Sequence, residues 1–290
     1  MIRRAFINRC GQIRSGWKIL IILLSSVALT LVFFFIGDVI LSLLLTNEPE
    51  QLLKLRDSLH YGAFLQTAAV IVTLLIVLKF IDKKTVGSIG LGPLAPRLKD
   101  LFGGLLFGAA SMTAVFIILI ITGGTMVTET MESQGINLSI VYGLIPFILV
   151  ALSEELLFRG YIINALQQMG KIRVSLALSS IIFALVHGVN PNVNFLGLSN
   201  IFLVGLLFSY MYIKTGSLWM PIGYHFTWNY FQGVVYGFPV SGHELESLYR
   251  LPVQENIIAG GKFGPEGGLA VTGVILLSLL VMRYRLGIRN

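Results

Sequence analysis

The stretch Ala151-Leu152-Ser153-Glu154-Glu155-Leu156-Leu157-Phe158-Arg159-Gly160 sets two adjacent carboxylates and an arginine inside a run that is otherwise apolar enough to cross a membrane. A charged side chain at the centre of a membrane helix costs about 2.5–3.5 kcal/mol on insertion scales, so such residues mark a functional site whose partners lie elsewhere in the chain. Read as a helix, Glu155 and Arg159 stand at i, i+4 on one face, and Glu154 is rotated about 100° from Glu155. The two carboxylates therefore have different jobs. Glu155 pairs with Arg159, and Glu154 is free to face a cavity as a general base. Neutralising one arginine needs one carboxylate, and burying a second without a use for it is unfavourable.

The rest of the chain explains the apolar setting. Of its 290 residues 55% are hydrophobic and 12% charged, and mean hydropathy is +0.83. Soluble domains carry roughly 25% charged residues, so this composition belongs to an integral membrane protein. Runs of about 20 apolar residues, enough to span the hydrocarbon core, recur about eight times. They fall near 17–45, 61–81, 101–122, 140–168, 173–189, 195–213, 218–236 and 268–283. The first is too long for a signal-peptide core and reads as a retained span. The expected fold class is all-α, a polytopic membrane protein with about eight transmembrane helices forming one integral membrane domain over 1–290. Residues 140–236 carry the fourth to seventh of these helices.

With eight spans, only Lys54, Arg56, Arg250 and Lys262 of the 21 Lys and Arg residues fall on one side, which also collects Glu48, Glu50, Asp57, Glu129, Glu132, Glu244, Glu246, Glu255 and Glu266. The positive-inside rule then makes both termini cytoplasmic, with the plasma membrane as the expected location. The net charge of +7 is a topology signal with attraction to anionic lipid; no soluble basic domain exists to bind nucleic acid. The single cysteine, Cys10, excludes an internal disulfide framework. Gly104 and Gly108 form a small-xxx-small pair suited to close helix packing. Gln66 and Thr67 carry no assigned chemistry. The segment Gly237–Gly267 reads as ordered turns, a lid being one use for them, and His243 and Glu266 within it as solvated loop residues.

Two later spans supply partners for Glu154. Phe183-Ala184-Leu185-Val186-His187 ends the fifth. Counting outward from the turn at Gly170-Lys171, Glu154 and His187 lie about sixteen residues to either side, the same depth in an antiparallel helical hairpin. The seventh span carries His225 and Asn229 at i, i+4. Alone, each would read as ordinary polar glue between helices. Together, a carboxylate base, two imidazoles and an amide are what hydrolysis of a peptide bond by activated water requires. Glu154 takes the water's proton, His187 and His225 hold and polarise the water, and Asn229 donates to the oxyanion. The imidazoles act either directly or through a divalent metal such as zinc, for which His187 and His225 are candidate ligands. No HExxH helix is present, and Ser153, the one nearby hydroxyl nucleophile, lacks a base one turn away.

The set Glu154-Glu155-x-x-x-Arg159, Phe183-x-x-x-His187 and His225-x-x-x-Asn229 resembles the motif series of the CAAX prenyl protease and bacteriocin-processing family. That family includes the type II CAAX endopeptidases and the lysostaphin-resistance-protein-A-like membrane proteins. The similarity covers residues 140–236. The region from Phe208 to Trp219 and the glycine-rich Gly260-Gly261-Lys262-Phe263-Gly264-Pro265-Glu266-Gly267-Gly268 also look alike, the latter to bacterial members. The resemblance implies an eight-helix intramembrane endopeptidase of the glutamate or metallo type. Glu154, His187, His225 and Asn229 would be catalytic, and Glu155, Arg159 and Phe183 supporting. The expected partners are a peptide or membrane-protein substrate and the lipid bilayer. Two competing readings make the same residues a proton relay in a proton-coupled transporter, or part of a non-catalytic bacteriocin-immunity-type membrane protein. The missing internal repeat counts against the transporter.

Overall fold

The structure, a computed structural model, describes residues 5–8, 10–126, 129–130, 139–244, 247 and 249–287. Of the residues used in the charge count, Arg3, Arg4, Arg9, Glu132, Glu246 and Arg289 lie outside the described residues. Six helices among the described residues are long and apolar enough to cross a membrane: Ser15–Leu44, Leu59–Asp82, Ala95–Ile121, Ile172–Val189, Phe195–Thr215 and Leu269–Gly287. The chain is an integral membrane protein. Leu31, Phe35, Leu44, Leu106 and Ile121 point outward from these helices, where acyl chains can cover them.

The helices are α1 (Ser15–Leu44), α2 (Pro49–Arg56), α3 (Leu59–Ile76), α4 (Leu98–Ile121), α5 (Leu144–Glu154), α6 (Ile172–Val186), α7 (Phe195–Thr215), α8 (Trp219–Tyr230) and α9 (Leu269–Gly287). Two of the eight expected spans are helical but fall short of the length and composition of a plain membrane helix. After α5 the helix continues through a π segment, Glu155–Ile162, then Ile163–Leu166 and a 3-10 turn, Gln167–Met169. Glu154, Glu155 and Arg159 interrupt its apolar character. After α8 the helix continues as π over Phe231–Val235, and the combined run is short. The short helix α2, with Pro49 at its start, occupies the loop between the first two spans. The paired strands β1 (Glu129–Thr130) and β2 (Tyr249–Arg250) join two loops on the side where α5 begins.

Local chemistry sets the ends. Ser58 accepts a hydrogen bond from the Tyr61 N–H and caps α3, and Asn194 accepts from the Gly197 N–H and caps α7. Gly170, at φ +67°, closes the helix that carries Glu154 and starts the turn into α6. Lys18 of α1 pairs with Asp82 at the end of the α3 run, so both charges are neutralised where they are buried.

Two apolar cores result. One gathers α1, α3, the α5 run, α6 and part of α7; the other gathers α4, α7, α8 and α9. The most extensive helix–helix contact is between α4 and α8. A Cβ at Gly104 would overlap the carbonyl of Met220, and one at Gly108 that of Tyr224, so the small pair does bring two backbones together. Gly104→Leu should force α8 away from α4 and destabilise the fold by about 1–3 kcal/mol, as overpacking does. Thermal unfolding in lipid nanodiscs checks this, and an unchanged midpoint would show that the contact tolerates a side chain.

Candidate active site

The helices that meet between the two cores bring Glu154, His187, His225 and Asn229 to one cavity of about 230 Å³. Glu154 is the last residue of α5 before the π segment. His187 follows α6 in a single 3-10 turn, His187–Val189, and His225 and Asn229 share a face of α8, which itself becomes π at Phe231. The two helices that carry Glu154 and the His225–Asn229 pair thus widen to π just after them, a feature frequent at functional sites.

The two oxygens of Glu154 face different imidazoles. Oε1 lies 4.0 Å from His187 Nε2 and Oε2 lies 3.8 Å from His225 Nε2. These gaps exceed a direct hydrogen bond and suit a bridging water. Among the described residues Glu154 Oε2 is enclosed and has no hydrogen-bond partner. A buried acceptor left unmet inside a polar cavity is a place where a reactant can bind.

The far side of each ring fixes its tautomer. His187 Nδ1 is 2.8 Å from the Phe183 carbonyl, which only accepts, so Nδ1 carries the proton. His225 Nδ1 is 3.0 Å from Glu155 Oε1, a carboxylate oxygen, and donates to it. When neutral, each ring therefore presents an Nε2 lone pair toward Glu154.

Glu155 has a wider role than pairing with one arginine. Its Oε1 also accepts from Arg159 Nη1 at 3.0 Å, and both side chains are 0% exposed. One oxygen thus joins the buried cation to the ring of His225. Arg159 is held further by the carbonyl of Gly205, 3.4 Å from Nη2, and by the rings of Phe183 and Phe208, whose centroids lie 4.3 and 5.1 Å from its guanidinium carbon. Phe183 so acts three times: its carbonyl orients His187, its ring packs edge-on against that imidazole, and its face supports Arg159. Phe208 stacks on His225 at 5.2 Å between centroids, an arrangement with no signal in sequence spacing.

Ser153 stays out of the cavity, its hydroxyl donating to the Val150 carbonyl and accepting from Thr67. Gln66, by contrast, lines the cavity. The expectation for Glu266 is overturned. It is buried and lines the same cavity, because the glycine-rich loop folds back over it. His243 is exposed, as read, but stands at the edge of the cavity.

As arranged, Glu154 stands farther from His187 and from His225 than two ligands of one zinc ion stand from each other. Zinc bonds of about 2.0–2.1 Å hold tetrahedral ligands roughly 3.3–3.4 Å apart. The separations of 4.0 and 3.8 Å are wider, and Glu155 Oε1 is already engaged by Arg159 and His225. Among the described residues no three His, Cys, Asp or Glu side chains are grouped to hold a metal ion.

Residues 135–231 match the family model described as type II CAAX prenyl endopeptidase Rce1-like. The match contains Glu154, Glu155, Arg159, His187, His225 and Asn229 and stops before Glu266. No curated protein and no solved structure matches the chain.

Proposed function

We propose that the chain, whose residues 135–231 match that model, is an intramembrane endopeptidase of the CAAX prenyl protease and bacteriocin-processing family in which Glu154 activates water. The observation that carries this reading is the pair of Nε2 lone pairs set 4.0 and 3.8 Å from the two oxygens of one carboxylate. A water in such a gap donates one hydrogen to Glu154 and the other to an imidazole, and its own lone pair is left for the substrate carbonyl. As the C–O bond forms, the water's proton passes to Glu154 and charge gathers on the carbonyl oxygen, where Asn229 donates. The C–N bond then breaks, and Glu154 returns its proton to the leaving amine.

The substrate is a peptide or membrane protein, either a CAAX-type C-terminus or a precursor peptide. Apolar lining by Phe147, Val150, Val186, Ile201 and Val204 favours apolar residues beside the scissile bond. The distribution of Lys and Arg supports an orientation with both termini in the cytoplasm, and the plasma membrane is the location proposed for it. The purified protein in nanodiscs should cleave peptides from a mixed pool of prenylated and unprenylated precursors. Capture with the Glu154→Gln variant and mass spectrometry identifies which class is held; no cleavage of either class by the wild type would overturn the proposal.

The donor geometry also sets an expectation for metals. Treatment with a strong zinc chelator should leave cleavage within about twofold of the untreated rate, since no step runs through an ion. Loss of activity that added zinc restores would require a different site.

A further inference from the structure

A second cavity, of about 510 Å³, lies where α1 begins and where the α3 and α5 runs end. It shares no lining residue with the cavity of Glu154, and its volume falls within the roughly 300–1,000 Å³ of small-ligand sites. The distribution of Lys and Arg reads this end of the helices as cytoplasmic.

Its wall is cationic, with Lys18, Lys83 and Lys84 against one carboxylate, Asp82, among the described residues. Asp82 is taken up by Lys18, the two side chains being 6% and 9% exposed. With its amide set to satisfy both neighbours, Gln168 donates to the Ile13 carbonyl and accepts from Lys18 Nζ, each at 3.2 Å. An ammonium has three donors, so Lys18 keeps one to spare. Lys83 and Lys84 follow Asp82 directly and are exposed, free of any such pairing to a carboxylate among the described residues. Lys83 takes φ +53°, uncommon for a residue with a Cβ, and its N–H and that of Lys84 both close on the Leu78 carbonyl. That turn ends the π segment Val77–Asp82 and sets two ammonium groups at the cavity.

The second observation comes from the opposite wall. Tyr161, on the π segment that follows Glu154, is 2% exposed and lines the same cavity. Its hydroxyl stands beside Asp82 without the geometry of a hydrogen bond and has no partner among the described residues. A buried donor left unmet at a polar cavity marks a place for a ligand acceptor.

We propose that this cavity binds a phosphate group, with Lys83 and Lys84 as its counter-charges and the Tyr161 hydroxyl and the spare Lys18 N–H as buried donors. Phosphate supplies both the negative charge and the several acceptor oxygens that such a set of donors needs. It belongs either to an anionic phospholipid of the adjoining leaflet, whose headgroups dock in basic pockets between membrane helices, or to a soluble phosphate.

Titration of the purified protein with phosphatidylglycerol, phosphatidylcholine and inorganic phosphate, read by native mass spectrometry, gives a Kd for each. The wild type should bind phosphatidylglycerol or inorganic phosphate more tightly than phosphatidylcholine, whose choline cancels the phosphate charge. Lys83→Gln with Lys84→Gln should weaken that binding about twenty-fivefold, roughly fivefold for each lysine beside an anionic headgroup. Tyr161→Phe should weaken it about tenfold at an unchanged thermal midpoint, as loss of one hydrogen bond to a charged group does. A control pair, Lys99→Gln with Lys171→Gln, lies on the same side of the membrane but outside the cavity wall and should bind as the wild type does. Tight binding of phosphatidylglycerol alone assigns the site to lipid, and tight binding of inorganic phosphate to a soluble anion. A wild type that prefers neither, cavity variants that bind as well as the wild type, or an equal loss in the control pair would each overturn the inference. No part of the test uses peptide cleavage, so its failure leaves the peptidase reading untouched.

Discussion

Glu154→Gln should abolish peptide cleavage, with kcat falling about a hundred- to ten-thousand-fold, the range attributed to one positioned general base. Glutamine keeps the size of the side chain and loses only its ability to take a proton. The two imidazoles keep their own anchors, His187 on the Phe183 carbonyl and His225 on Glu155, so the cavity should hold its shape. Substrate binding and thermal unfolding should therefore stay close to wild type while turnover disappears. A purified Glu154→Gln protein that still cleaves at a tenth of the wild-type rate would remove Glu154 from the mechanism. Loss of cleavage together with loss of folding would assign it a structural role instead.

Glu155→Ala should act on a different quantity. It leaves the Arg159 guanidinium 0% exposed with no carboxylate beside it, and breaking a buried pair in this way typically destabilises a fold by about 3–5 kcal/mol. The variant should unfold at a markedly lower temperature. The double substitution Glu155→Leu with Arg159→Met removes both charges, and buried pairs replaced by apolar residues of similar size are often as stable as the original. It should recover most of the lost stability. Activity should not recover with it, because His225 Nδ1 has lost the carboxylate that fixes its tautomer. Thermal unfolding and cleavage measured on both variants separate these roles. Recovery of activity in the double variant would show that Glu155 serves only to neutralise Arg159.

The two expectations follow from one detail. Sequence spacing pairs Glu155 with Arg159 at i, i+4 and leaves Glu154 on another face, and both features stand in the folded helix. What spacing could not supply is that Glu155 Oε1 is shared with a ring 70 residues away, so that the pair serves the site as well as the helix.

The fold was legible in the sequence because the bilayer imposes it. Apolar runs of fixed length must be helices, since no other local structure satisfies its own backbone in hydrocarbon. The equal depth of Glu154 and His187 was legible for the same reason, helical rise being constant over a hairpin. Composition and regular spacing therefore determined the spans, the identity of the polar residues that meet, and the close approach at Gly104 and Gly108. Tertiary structure alone decided the rest. The π segments at Glu155–Ile162 and Phe231–Val235 are seen only in the folded chain, and the stacking of Phe208 on His225 and the tautomer of His225 depend on neighbours distant in the chain. So does the placing of Glu266. Its segment is polar and rich in glycine, which in a sequence reads as solvated loop, and only the bonds from Asn200 and Ser241 turn that segment inward over the cavity. Periodicity reports a residue's position within its own helix; which groups share a buried space is fixed by contacts between segments, which no local pattern records.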